Sequence, residues 1–169
     1  MTVRIGVISD THLTNPAGLS QRISQVFAGV DHILHAGDLV TTAVIHELEK
    51  IAPVSAVRGN MDYPEVKTQL PLKTVHDVEG LRIGLLHGHG VSGDILSRHD
   101  LNALRSYLLS QFDEPVDCIV YGHTHWADNE QQQGVLFFNP GTATGRGARA
   151  TVGMLTVDGT TISGEIIDV

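Results

Sequence analysis

Apolar residues along this chain come in short runs, and most runs close on a small cluster of glycine and polar residues. Residues 3–9 (VRIGVIS) read as a buried strand, and the pattern over 19–28 has the period of a helix. A short strand follows at 32–35, then a second helix over 43–51 that Pro53 stops. The opening of the chain is therefore βαβα. Residues 54–57, 81–87 and 118–121 predict three more strands, with a helix over 95–109 between the last two. From residue 135 onward the pattern changes to short strands at 135–138, 151–157 and 161–167, and Asp158-Gly159 predicts a hairpin joining the final pair. A layered α/β protein with an antiparallel tail follows.

Composition narrows the class. Of the 169 residues, 41% are hydrophobic and 18% charged, a globular balance. A chain of this size buries about two thirds of the surface its unfolded form exposes. No repeat, low-complexity tract or Pro/Gly/Ser linker divides it, so one domain over residues 1–169 is expected. The net charge of −8 disfavours long nucleic acid as a partner. No apolar stretch approaches the ~18 residues of a membrane span. Arg4 and Asp10 come too early to leave a signal-peptide core, which makes the cytoplasm the expected location and a membrane an unexpected partner. Cys118 is the one cysteine, and its apolar surroundings read as those of a buried structural thiol. Nothing here sets the oligomeric state, and a homo-oligomer is compatible with it.

The chemistry lies in where the polar residues fall. Asp10 and His12 follow the first predicted strand, Asp38 the second, and Asn60, behind Gly59, the third. His87-Gly88-His89 and Gly122-His123-Thr124-His125 close the next two. Each group sits at the C-terminal end of a strand, the edge at which open α/β sheets bind ligands. Residues two apart on an extended segment face the same way, so Asp10 with His12, and His123 with His125, each deliver two side chains into one cleft. Gathering two carboxylates and several imidazoles out of water without a counter-ion costs on the order of several kcal/mol. Divalent cations remove that cost.

In this order, Asp10-Xaa-His12, Gly37-Asp38, Gly59-Asn60, His87 and Gly122-His123-Thr124-His125 resemble the motifs of the calcineurin-like metallophosphoesterases, and the small YfcE-like phosphodiesterase branch in particular. The resemblance runs from Ile5 to about Thr142 and includes Asn139-Pro140-Gly141-Thr142. It implies a two-sheet β-sandwich flanked by helices, the four-layer αββα arrangement. It also implies that Asp10, His12 and His125 hold one divalent ion, that Asn60, His87 and His123 hold a second, and that Asp38 bridges the two. A ligand set of nitrogen and oxygen without thiolate suits Mn, Fe, Co, Ni or Zn, and manganese is the expectation. The implied reaction is hydrolysis of a small-molecule phosphate ester, by in-line attack of a hydroxide shared by the ions. Many members of the family carry a histidine directly after the motif asparagine to protonate the leaving group, whereas this chain has Met61, which transfers no proton. That departure favours esters with good leaving groups, such as aryl phosphodiesters, or a donor from elsewhere. His89 is the candidate for that catalytic role, oriented by Asp62.

Simpler roles compete. Asp10 and Asp38 are also good helix caps, Asn60 suits a left-handed turn, and His89 suits a supporting position beside a ligand. His32, His35, His46, His76 and His99 read as surface or structural, and Arg146 and Arg149 as solvated loop charges more than a phosphate clamp. A scaffold that keeps the fold without turnover, as in the retromer subunit that this branch also resembles, is the alternative from another class. A nuclease ranks third. Substrate choice is expected to rest on residues 64–72 and 90–99, which no motif covers.

Overall fold

The computed structural model describes residues 1–90 and 101–169. Strand β1 (Thr2–Ile8) is buried on both faces over its second half, as its unbroken apolar run requires. It pairs in parallel with β2 (His32–His35), which pairs in parallel with β3 (Val54–Ala56). Helices α1 (Gln21–Val26) and α2 (Ala43–Leu48) fill the two crossovers. Ser20 caps α1 by accepting the Arg22 amide N–H at 3.2 Å, which sets the helix start inside the expected span. After the short helix α3 (Pro64–Gln69), the chain enters a second sheet through β4 (Lys73–Val78) and β5 (Leu81–Leu86). Helix α4 (Leu101–Ser110) leads to β6 (Cys118–Val120), then β7 (Asp128–Gln132) and β8 (Val135–Asn139). Strands β9 (Thr151–Asp158) and β10 (Thr161–Asp168) return to the first sheet.

The result is two five-stranded mixed sheets, ordered β10-β9-β1-β2-β3 and β4-β5-β6-β8-β7. Alternation along the strands builds three apolar layers. Val7, Leu34, Leu85, Val120 and Phe138 meet between the sheets. Ile8 and Ile33 face the other way, onto Ile23, Phe27, Val44 and Leu48 of α1, its C-cap and α2. Ile119, Tyr121 and Phe137 pack outward against Leu104 and Leu108 of α4. Helix, sheet, sheet, helix is thus the observed order of layers. Phe138 owes its fit to glycines on the facing sheet, since a Cβ on Gly153 or Gly164 would stand 2.3 or 2.4 Å from its ring. Full burial of such a ring stabilises the fold by about 1.5–3 kcal/mol.

Among the described residues four elements lack a counterpart in the sequence reading, the smallest being a single 3-10 turn at Pro16–Gly18. Strand β7 (DNEQQ) carries no apolar residue and exists because an edge strand can complete the antiparallel ladder on β8. Strand β4 is likewise an edge, paired only with β5. Helix α3 is six residues long, begun by Pro64 in its first turn, and too short for periodicity to reveal. The final hairpin turns one residue later than expected, because Asp158 pairs with Thr161 and the loop is Gly159-Thr160. Of the helix expected over 95–109, residues 101–109 are helical, while 95–100 lie outside the described residues, as do His99 and most of the 90–99 segment.

Candidate metal centre

The parallel strands β1, β2 and β3 of one sheet, and β5 and β6 of the other, release their C-terminal loops at a common edge. Six of the expected side chains gather there in two groups, Asp10 with His12 and His125, and Asp38 with His87 and His123. Each group draws on both sheets. Within each, the candidate ligand atoms lie within 4.8 Å of one another.

Asp10 is wholly buried, and its two oxygens do different work. Oδ2 accepts the Ser9 hydroxyl at 2.6 Å and the His123 amide N–H at 3.0 Å. Oδ1 faces His125 Nε2 at 3.1 Å and His12 Nε2 at 3.6 Å, without hydrogen-bond geometry to either. Those two imidazole nitrogens are themselves only 3.2 Å apart. The Nδ1–H of His125 points at the Arg146 carbonyl at 3.3 Å, which leaves Nε2 as the lone-pair nitrogen aimed at Asp10.

The second group repeats the device. His87 Nδ1–H donates to the Ala36 carbonyl at 2.7 Å, and Nε2 is buried without a hydrogen-bond partner, 3.2 Å from Asp38 Oδ2. Asp38 Oδ1 is held by the Met61 amide N–H at 2.8 Å. Its Oδ2 also lies 3.8 Å from His12 Nε2 of the first group. A single oxygen therefore stands between the groups while the other is fixed to backbone.

Electrostatics express the same frustration. Burial works to raise the pKa of Asp10, yet His12, His125 and the charge on His87 hold it well below the usual carboxylate range. Burial likewise opposes ionisation of Asp38, and His87 and the Met61 amide overcome it. His87 is pushed up against its own desolvation by Asp38 and Asp10. His123 falls to about 4, mainly through burial and then through the charge on His87. Carboxylates kept ionised beside imidazoles that compete for one proton form a donor set suited to a cation of higher charge. The unpartnered Asp10 Oδ1 and His87 Nε2 are donor atoms that such a cation would satisfy.

Backbone strain accompanies the ligands. Asp10, His12, Asp38, His123 and His125 all have positive φ, between 49° and 67°. This region costs a non-glycine residue of order 1–3 kcal/mol and is held only where the surroundings impose it. Two glycines permit the close approach. A Cβ on Gly59 would stand 2.0 Å from Asp38 Oδ1, and one on Gly122 would stand 2.0 Å from Ser9 Oγ.

Of the other expected residues, Asn60 is exposed, directly between Gly59 and Met61, and its backbone carbonyl accepts Lys67 Nζ at 2.7 Å. His89 is half-buried at the rim of the second group, its ring 5.5 Å from that of His87 and 6.4 Å from that of His123. Burial, then the charge on His87, lowers its pKa. Asp62 is 4% exposed and spends both oxygens on backbone, taking the Val40 and Gly59 amides at 2.6 Å each. Its observed work is to tie the loop after β2 to the loop after β3, and no hydrogen bond joins it to His89. Arg149 pairs with Asp168, and Arg146 is exposed.

Sequence reading missed several supporting groups. Asn139 Nδ2 donates to the Gly122 carbonyl at 2.9 Å and Thr124 Oγ1 at 3.0 Å, and Thr142 Oγ1 donates to the Asp10 carbonyl at 3.0 Å. The Asn139-Pro140-Gly141-Thr142 signature was visible, but its use in clamping two ligand loops was not. His35 is wholly buried, accepts the Gly37 amide on Nδ1 at 3.1 Å and contacts Thr11 Oγ1 through Nε2 at 3.3 Å.

A family model for the calcineurin-like phosphoesterase superfamily domain matches residues 3–161. The chain belongs to that superfamily. A probable metallophosphoesterase of Methanothermobacter thermautotrophicus is 36% identical over 165 residues, covering 96% of this chain and 91% of the relative. A phosphodiesterase of Methanocaldococcus jannaschii is 30% identical over 157 residues, covering 85% of this chain and 86% of its own length. Among solved structures, zinc-complexed Vps29 of Entamoeba histolytica superposes with a TM-score of 0.76 at 25% identity, over 98% of this chain and 99% of that one. The phosphoesterase fold and the candidate metal groups therefore agree with one another.

Proposed function

We propose that this chain is a phosphodiesterase that works with two divalent ions. The position of Asp38 Oδ2, 3.2 Å from His87 in one group and 3.8 Å from His12 in the other, carries the reading. Asp10, His12 and His125 would hold one ion; His87, His123 and Asn60 the other; Asp38 both. Bound there, the ions would supply Lewis acidity and an activated water for in-line attack on phosphorus. The chain's residues orient that site through Ser9, Asn139, Thr142 and Asp62, and His89 at its rim is assigned to the leaving group's proton. No covalent protein intermediate is involved. Cys118, the one thiol, is fully buried with its pKa pushed up by desolvation. Manganese is the first choice of metal, a small phosphate ester the substrate, and the cytoplasm the place of action.

The decisive experiment loads the wild type and Asp38→Ala with manganese, measures bound metal by elemental analysis, and follows hydrolysis of bis-p-nitrophenyl phosphate. Two equivalents and turnover are expected in the wild type, with both lost in the variant. An Asp38→Ala protein that keeps full rate would remove Asp38 from the bridge. The likeness to Vps29 favours a second reading, a protein-binding scaffold on the same fold. Metal uptake with no turnover on any phosphodiester or monoester would select it.

A further inference from the structure

Met61 leaves the position after Asn60 without a proton-bearing side chain, and Met61 is itself 57% exposed. The structure brings a different cation to the same place. Helix α3 starts three residues after Met61 and carries Lys67 back, so that Nζ donates to the Asn60 carbonyl at 2.7 Å. On either side of Asn60 the backbone rests on Asp38: the Met61 amide donates to Oδ1 at 2.8 Å, and Gly59 packs directly against the same oxygen. The ammonium is thus anchored within one residue of the carboxylate between the two groups. Arg58 reinforces the placement, its guanidinium donating to the Lys67 carbonyl. Lys67 and Arg58 both act electrostatically on His89 at the rim of the second group.

An ammonium has three donors, and the Asn60 carbonyl takes one. In a chain of net charge −8, the Lys67 ammonium, held on the Asn60 carbonyl, has no partner of opposite sign among its described contacts. What would complete it is an anion arriving with the substrate. We infer that Lys67 is a catalytic residue of the proposed hydrolysis, donating an N–H hydrogen bond to the leaving oxygen and stabilising the negative charge that gathers there, while His89 stays the source of the proton that the oxygen finally takes up. In that step the attacking oxygen forms its bond to phosphorus as the opposite P–O bond breaks. The bonding electron pair stays on the leaving oxygen, where the Lys67 N–H meets it, and no bond to the lysine forms. Charge stabilisation of this kind counts most when the leaving group is poor. The substrate class that follows is phosphoesters of ordinary alcohols and weakly acidic phenols, beyond the activated aryl esters that Met61 alone suggests.

The inference rests on the phosphoesterase reading, and its test separates the two. Hydrolysis of a series of aryl phosphodiesters, from 4-nitrophenyl to unsubstituted phenyl, is measured for manganese-loaded wild type, Lys67→Met and Lys67→Arg. The expected outcome is a fall in kcat for Lys67→Met that is at least tenfold larger for phenyl than for 4-nitrophenyl leaving groups, with Lys67→Arg in between. Bound metal should match the wild type, and the affinity for inorganic phosphate by titration calorimetry should weaken at least threefold in Lys67→Met. Lys67→Cys alkylated with bromoethylamine, which rebuilds an ammonium at nearly the same length, should restore the wild-type dependence, since buried Cys118 is shielded from the reagent. An equal loss across the series, or none, with unchanged phosphate affinity, overturns the role of Lys67 while leaving the phosphoesterase reading standing. A wild type inert toward every ester overturns both.

Discussion

His35 packs beside the candidate centre without belonging to either of its two groups. Its ring is fully buried, and burial lowers its pKa from 6.5 to about 4. The folded state therefore refuses a proton that the unfolded chain accepts between those values. Stability is complete above pH 6.5, declines as pH falls, and stops declining from this source near pH 4. At about 1.4 kcal/mol per unit, the loss across the window is of order 3 kcal/mol. Denaturant unfolding of metal-free protein at pH 7.0 and 5.0 should show that decline in the wild type, and a clearly smaller one in His35→Asn, whose side-chain oxygen can still accept the Gly37 amide. Equal slopes would remove His35 as the titrating group. Cramped glycines make a second residue-scale case. Gly59→Ala places a methyl 2.0 Å from Asp38 Oδ1. That carboxylate must move, so the variant should bind less than half the wild-type manganese at a fixed low concentration, by elemental analysis after gel filtration.

Among the elements, the loops after β2 and β3 are joined by one carboxylate. Asp62→Asn keeps its size but exchanges an acceptor oxygen for a donor against the Val40 or Gly59 amide, leaving a buried N–H without its partner. A cost of about 2–3 kcal/mol in urea unfolding is expected, with weaker metal binding because Asp38 and Asn60 ride on those loops. A variant as stable as the wild type would show the staple to be dispensable. What the sequence disclosed follows the same division. Buried strands such as β6 and β8 announce themselves by unbroken apolar runs, and the polar residues that follow the strands mark the candidate site, at the edge where such sheets bind ligands. Asp62 gave no such sign. Its two acceptors serve amides from segments 22 and 3 residues away, and only the packed chain brings these together. Strand β7, with no apolar residue, and α3, with six residues, are likewise products of their neighbours. The most consequential omission is α3, since it carries Lys67.

Taken as one body, the molecule is two sheets whose ligand loops interleave. The first group joins Asp10 and His12, from the sheet of β1, to His125, after β6 of the other; the second joins Asp38, after β2, to His87 and His123. An ion bound in either group would therefore tie the sheets together as well as serve the proposed reaction. Five of the candidate ligands already hold positive φ, so the fold imposes their placement in advance, and binding of an ion would have little left to reorganise. Binding energy should then appear directly as stability. At a free ion concentration 100 times the dissociation constant, a single site adds about 2.7 kcal/mol. For a chain of this length that corresponds to a rise in Tm of about 5–10 °C. Calorimetric scans with excess EDTA and with manganese should differ by at least that amount in the wild type. Asp10→Ala and His87→Ala should each retain only part of the shift, because each leaves the other group intact, and the double variant should retain none. Identical Tm values with and without the ion would mean that the two groups do not tie the sheets together. The orphaned Asp10 Oδ1 and His87 Nε2 would then need another partner.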